Sequence, residues 1–101
     1  MERKVFRVGS VGIGGISRGV HLPGIAKSPD LELVAVCDLK PERMAYAREA
    51  YGIAEDHCFA DYHDLVNCPD VDVVDISTSN NAHFEVAKAA IEAGRVTGFS
   101  R

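Results

Sequence analysis

The stretch VGSVGIGGIS, residues 8–17, limits what this chain can fold into more than any other feature, especially when read with Asp38. An apolar run (Val5, Phe6, Val8, Val11) stops at Gly12-Ile13-Gly14-Gly15. A helical stretch follows, then a second apolar run, LELVAVC, that ends in Asp38. Strand, glycine turn, helix, strand and acid, in that order, describe a βαβ unit built around an anion site. Gly12 permits the tight turn. Gly14, lacking a Cβ, lets a pyrophosphate approach the backbone closely. The helix start behind it offers unpaired N–H groups and the positive end of a dipole. Asp38 lies 24 residues beyond Gly14, near the spacing of a carboxylate that accepts from the adenosine ribose hydroxyls. Ser17 stands at the third glycine position and is small enough for close helix–strand packing.

The rest of the chain alternates in the same way. A first strand is expected over Val5–Val11. Two short helical pieces run from Gly15 to Ser28, divided by Pro23 and Gly24. A second strand spans Leu31–Cys37, apolar enough for burial on both faces. Pro41 opens a helix that ends at Tyr51 before Gly52, with Met44, Ala47 and Tyr51 on one face. A short third strand falls at His57–Ala60, and Asp61 caps a helix through Leu65. A fourth strand is read at Val71–Ser77, a helix at Asn81–Ala93 with Gly94 as its stop, and a fifth strand at Val96–Phe99. Strands joined by helices close a parallel sheet with right-handed crossovers, here in the order 3-2-1-4-5. The chain is long enough for one such domain. The turn at Gly12 and the segment Ser77-Thr78-Ser79-Asn80 then meet where the strand order reverses, so two loops far apart in sequence face one crevice.

Charge and composition exclude several partners. A net charge of −4 argues against nucleic acid and anionic membrane. No apolar stretch has the length of a membrane span. The basic start MERKVFRVG leads into glycines rather than a signal-peptide core. Cys37, Cys58 and Cys68 are three in number and lack zinc-type spacing, which points to reduced thiols and a cytoplasmic address. Cys37 reads as core. His57, His63 and Asp61 are close in sequence but fall on different elements, and no metal site is expected from them. Asp72 and Asp75 receive no catalytic role, and His21 is read as structural.

The segments VGSVGIGGIS, HLPGIAKSPDLELVAVCD, PERMAYAREAYGI and VDVVDISTSNNAHFEVAKAAIEAGR occur here in the order seen in one family. Across residues 5–95 the chain resembles the N-terminal domain of the glucose–fructose oxidoreductase and inositol dehydrogenase family. That resemblance implies a Rossmann-like, doubly wound α/β domain. It also implies NAD or NADP as cofactor, in an oxidoreductase acting on sugars and polyols, and the Asp38 carboxylate favours NAD because it would repel a 2′-phosphate. It puts Gly12, Gly14, Gly15 and Ile16 at the pyrophosphate, Asp38 at the adenosine ribose, and Thr78, Asn80 and His83 on the nicotinamide side. Ser79 stands where the family often has proline. The family continues into a strand ending in Glu-Lys-Pro, whose lysine is its usual catalytic residue, and then into a substrate domain. Here Ser100 and Arg101 occupy the corresponding places. Arginine is a poor proton shuttle, so no catalytic residue is assigned and turnover by this chain alone is not expected. A nucleotide-binding or regulatory module without chemistry stays open beside the oxidoreductase reading. A methyltransferase is disfavoured by the threonine–asparagine–histidine segment. The edge of the fifth strand, with Val96 and Phe99, predicts a homodimer.

Overall fold

The computed structural model describes residues 4–78 and 80–97, without the side chains of Asn80 and Asn81. Five strands form one parallel sheet: β1 (Phe6–Val11), β2 (Leu31–Cys37), β3 (Cys58–Phe59), β4 (Val73–Ile76) and β5 (Val96–Thr97), in the order β3-β2-β1-β4-β5. This is the order expected from the sequence. The strands are shorter than their apolar patterns. Val71, read as the start of β4, instead closes a turn by donating its N–H to the Cys68 carbonyl, and it is fully buried there. His57 ends a 3-10 turn over Glu55–His57 rather than opening β3. Leu31 and Leu33 at the start of β2 are half-buried and Glu32 is exposed, so only the second half of that strand is covered on both faces. Phe99 lies outside the described residues.

The helices are α1 (Leu22–Lys27), α2 (Pro41–Tyr51), α3 (Tyr62–Val66) and α4 (Asn80–Glu92). A π-helical turn, Ser17–His21, leads directly into α1, and the Leu22 N–H donates to the Ser17 carbonyl. Its cause is Pro23. Proline has no N–H, and its ring crowds the carbonyl four residues back, so the preceding turn widens. Pro41 sits in the first turn of α2, and Gly52 ends it at φ 70°, donating to the Arg48 carbonyl. Asp61 caps α3 by accepting from the His63 N–H at 2.8 Å. The same bond, with that from the His63 ring, holds the Asp61 carboxyl below its usual range.

Two apolar clusters hold the layers together. One joins β1, β2 and β4 to α3 and α4 and includes Val11, Ala35, Leu65, Val71, Val74, Ile76, Val86 and Ala90. The other packs Ile13, Leu22, Val36, Ala47 and Ile53 on the opposite face, with Met44 and Tyr51 against it. The face of α2 read from its periodicity is therefore the buried one. Cys37 is core, as expected, and burial with the adjacent Asp38 charge pushes its thiol up to about 12. At the opposite end of the sheet, Arg7 clasps Asp72 through its backbone N–H and through Nε and Nη2, at 2.9, 3.2 and 3.2 Å.

Two glycines are required by contact. In β1, a Cβ on Gly9 would lie 2.8 Å from Leu65 Cδ2 and 3.1 Å from Val71 Cγ2, beside a register shift in the β1–β2 ladder. Gly12 has φ +91°, and a Cβ there would lie 2.9 Å from the Ser77 carbonyl oxygen. Gly9→Ala is expected to lower unfolding free energy by about 1–3 kcal/mol through overpacking. Gly12→Ala should cost a further about 1–3 kcal/mol of backbone strain on top of its own clash. Gly19, whose Cβ would meet nothing within 4 Å among the described residues outside its own helix, is the control: alanine there should stabilise by up to ~1 kcal/mol. Urea unfolding of the three variants checks the ranking.

Candidate nucleotide-binding site

The carboxyl ends of β1, β2 and β4 converge on a cavity of about 610 Å3. Each strand end contributes for a local reason. β1 ends at Gly12, whose positive φ turns the chain sharply and whose missing Cβ lets it rest against Ser77. The Gly12 N–H donates to the Cys37 carbonyl, and the Ser77 N–H donates to the Val11 carbonyl, both at 2.8 Å. Those two bonds stitch the three strand ends together just below the opening.

Asp38 is the electrostatic centre of one end. Its side chain is 8% exposed. Oδ2 accepts from the Ile13 N–H at 2.8 Å and Oδ1 from the Lys40 N–H at 2.9 Å. Each carboxylate oxygen keeps acceptor capacity beyond these bonds. Arg43 Nη1 stands 3.7 Å from Oδ2. The carboxylate therefore locks the glycine turn to the end of β2 and still presents lone pairs to the cavity. Beside it Leu39 is 87% exposed, an apolar side chain standing in solvent at the cavity wall.

The other end is formed by Ser77, Thr78, Ala82 and Val86. Among the described residues, Thr78 Oγ1 is buried with no hydrogen-bond partner. An unpaired buried hydroxyl costs about 1–3 kcal/mol, and a polar group bound at this end would satisfy it. Together with the glycine turn and Asp38, it fits a long ligand with polar groups at both ends.

Of the residues singled out from sequence, Gly12, Gly14, Asp38 and Thr78 line this one cavity. Gly15 and Ile16 follow in the helical turn behind it, and Ile16 is 47% exposed. The Gly15 N–H and that of Ile16 belong to the first turn of that helix, where donors lack intrahelical partners. His83 is half-buried in the first turn of α4, where Ala82 rather than His83 meets the cavity. Asn80 opens α4, and its side chain is outside the description. Sequence reasoning missed Leu39, Arg43, Ala60, Asp61 and Tyr62 as wall residues. Arg43 was legible in principle, since it lies five residues after Asp38 in the first turn of α2.

His57 does not join His63 or Asp61. Its Nε2 lies 3.1 Å from Asp70 Oδ2, and Cys68 completes a group whose ligand atoms are all within 4.8 Å of one another. Arg7 Nη1 already stands 3.4 Å from the other Asp70 oxygen. This cluster is accounted for as an ion-pair network at the amino ends of the strands. Ser17, at the third glycine position, is fully buried with an unpartnered Oγ.

Comparison with known proteins agrees with this geometry. Residues 6–97 match the oxidoreductase family with an NAD-binding Rossmann fold that is named for glucose–fructose oxidoreductase and inositol dehydrogenase. The chain is 40% identical over 97 residues to inositol 2-dehydrogenase/D-chiro-inositol 3-dehydrogenase of Lactiplantibacillus plantarum, covering 95% of this chain and 27% of the relative. It is 44% identical over 91 residues to inositol 2-dehydrogenase of Salmonella typhimurium, covering 89% of this chain and 26% of that protein. The scyllo-inositol dehydrogenase of Lactobacillus casei, in its crystal structure with NAD(H) and scyllo-inositol, superimposes with a TM-score of 0.87 at 30% identity, over 96% of this chain and 28% of that one. The chain thus spans about a quarter of the length of these relatives. It belongs to this oxidoreductase family and corresponds to its NAD-binding Rossmann domain.

Proposed function

We propose that this domain holds NAD across the cavity, with the pyrophosphate on the turn Gly12–Ile16, the adenosine ribose at Asp38 and the nicotinamide toward Thr78, Asn80 and His83. The observation that carries the reading is Asp38: one carboxylate fixes the glycine turn through the Ile13 N–H and faces the same cavity. Leu39 offers an apolar face for the adenine. The oxidation of a sugar or polyol by the whole protein rests on the inositol dehydrogenases it resembles. A non-catalytic nucleotide-binding module is the second reading. A cytoplasmic location is proposed on the three unpaired thiols; among the described residues, no helix is long and apolar enough to cross a membrane.

NAD is preferred over NADP in this reading. Bonds to a carboxylate contribute on the order of 1.5–3 kcal/mol, and the same charge repels a 2′-phosphate. Arg43 and Lys40 temper that repulsion without abolishing it. Calorimetry on the Asp38→Ser variant should show NAD weakened about tenfold or more and the gap between NAD and NADP narrowed. Gly14→Val should remain folded, since among the described residues beyond its chain neighbours the new Cβ would have only Arg43 Nη1 within 4 Å, at 3.7 Å, yet lose NAD. Undiminished NAD binding by that variant would overturn the assignment.

A homodimer through the β5 edge is proposed on Val96, which is 65% exposed at the end of the sheet. Unpaired strand edges template a second chain. Light scattering at micromolar concentration should report twice the monomer mass, and Val96→Lys should return the monomer.

A further inference from the structure

A buried polar network crosses the sheet beside the cavity. In β1, Ser10 is fully buried and donates through Oγ to Asp75 Oδ2 at 2.8 Å. Asp75, in β4, is 6% exposed. His21 Nδ1 lies 2.9 and 3.2 Å from the two Asp75 oxygens and 2.8 Å from Ser77 Oγ. The His21 side chain is 9% exposed. An ionised carboxylate at that distance requires the proton on Nδ1, because two acceptors would repel. Nδ1–H is thus held by Asp75, with Ser77 Oγ as its third neighbour.

A carboxylate buried in β4, between β1 and β5, is costly unless fully paired. What distinguishes this one is where its network ends. Ser77 is a wall of the nucleotide cavity, and its carbonyl packs against Gly12. At its other end, His21 and Asp75 line a separate cavity of about 340 Å3 on the α1 face, with Val8, Val20, Ile25 and Val73. His21 is the last residue of the π turn. One extra residue in that turn changes which way the next side chains project, and here it brings His21 against the sheet.

We propose that His21, fixed by Asp75 and delivered by the π turn, is a positioning residue for Ser77 just after β4, and through Ser77 for the nicotinamide end of the cavity. The inference rests on the nucleotide assignment above. It goes beyond it by giving a role in binding to residues that touch no nucleotide. At the adenine end Asp38, just after β2, takes its hydrogen bonds from the Ile13 and Lys40 N–H groups and from no side chain of this network.

The test compares NAD with AMP on the full 101-residue chain by calorimetry. His21→Ala should weaken NAD about tenfold, within the range for residues that act on a ligand without touching it, and leave AMP unchanged. His21→Asn, whose side-chain amide places a donor near the position of Nδ1, should recover most of the NAD affinity. Millimolar imidazole should do so in His21→Ala, entering through the 340 Å3 cavity. Ser77→Ala removes only the hydroxyl, so it tests the link even where His21→Ala fails to fold, and it should show the same split between NAD and AMP. Equal loss of both ligands, or no loss of either in folded variants, overturns the positioning role alone. A parent chain that binds neither NAD nor AMP overturns the nucleotide assignment and the positioning role with it.

Discussion

The approach of Gly12 to the Ser77 carbonyl is the contact on which the rest of the site depends. It brings the ends of β1 and β4 within van der Waals range at the point where the strand order reverses. A side chain there would hold the two loops apart, and the cavity between them would lose its floor. Positive φ at Gly12 also redirects the chain, and the Ile13 N–H that follows donates to Asp38. One atom's worth of empty space thus fixes the relation of three strands. The glycines that follow are less constrained. A Cβ on Gly14 would meet a single distant guanidinium and, among the described residues beyond its chain neighbours, one on Gly15 would have nothing within 4 Å, so contact does not hold either position to glycine.

Charge in this domain is handled in two ways. At the amino ends of the strands, Arg7, Asp70, Asp72 and His57 pair in half-exposed positions, where each bond contributes little to stability. Arg7 Nε on Asp72 still keeps that carboxyl ionised below its ordinary range. At the carboxyl ends, Asp38 and Asp75 are nearly inaccessible, and each is satisfied by designated donors: backbone N–H groups for one, a serine and a histidine for the other. Acids buried with this degree of hydrogen bonding hold structure in place at the carboxyl end of the sheet, around the cavity.

The sheet order, the helix boundaries near Pro41 and Gly52, and the pairing of the glycine turn with Asp38 were legible because each depends on local chemistry: a φ that only glycine adopts easily, a missing N–H, a period of 3.6. What escaped the sequence depends on contacts between distant segments. Nothing around Gly9 announces that Leu65 will press on it. His21 was read as structural, which is true of its burial, but its partners lie 54 and 56 residues away. His57 pairs with Asp70 rather than with His63 because a 3-10 turn, invisible in the apolar pattern, ends on it. Val71 was lost from β4 because an apolar residue in a buried turn has the same composition as one in a strand.

The position of β1 has a consequence for how the chain is made. Its partner on one side, β2, follows within a single crossover, but its partner on the other side, β4, arrives late: Ser10 and Asp75 are 65 residues apart. At a synthesis rate of roughly 5–20 residues per second, β1 waits about 3–13 s for that neighbour. During this interval the nascent β1-β2-β3 half carries its future central strand as an open edge, with Ser10 still lacking the acid it will bond. Until β4 emerges, that edge is open to pairing with any other strand that meets it.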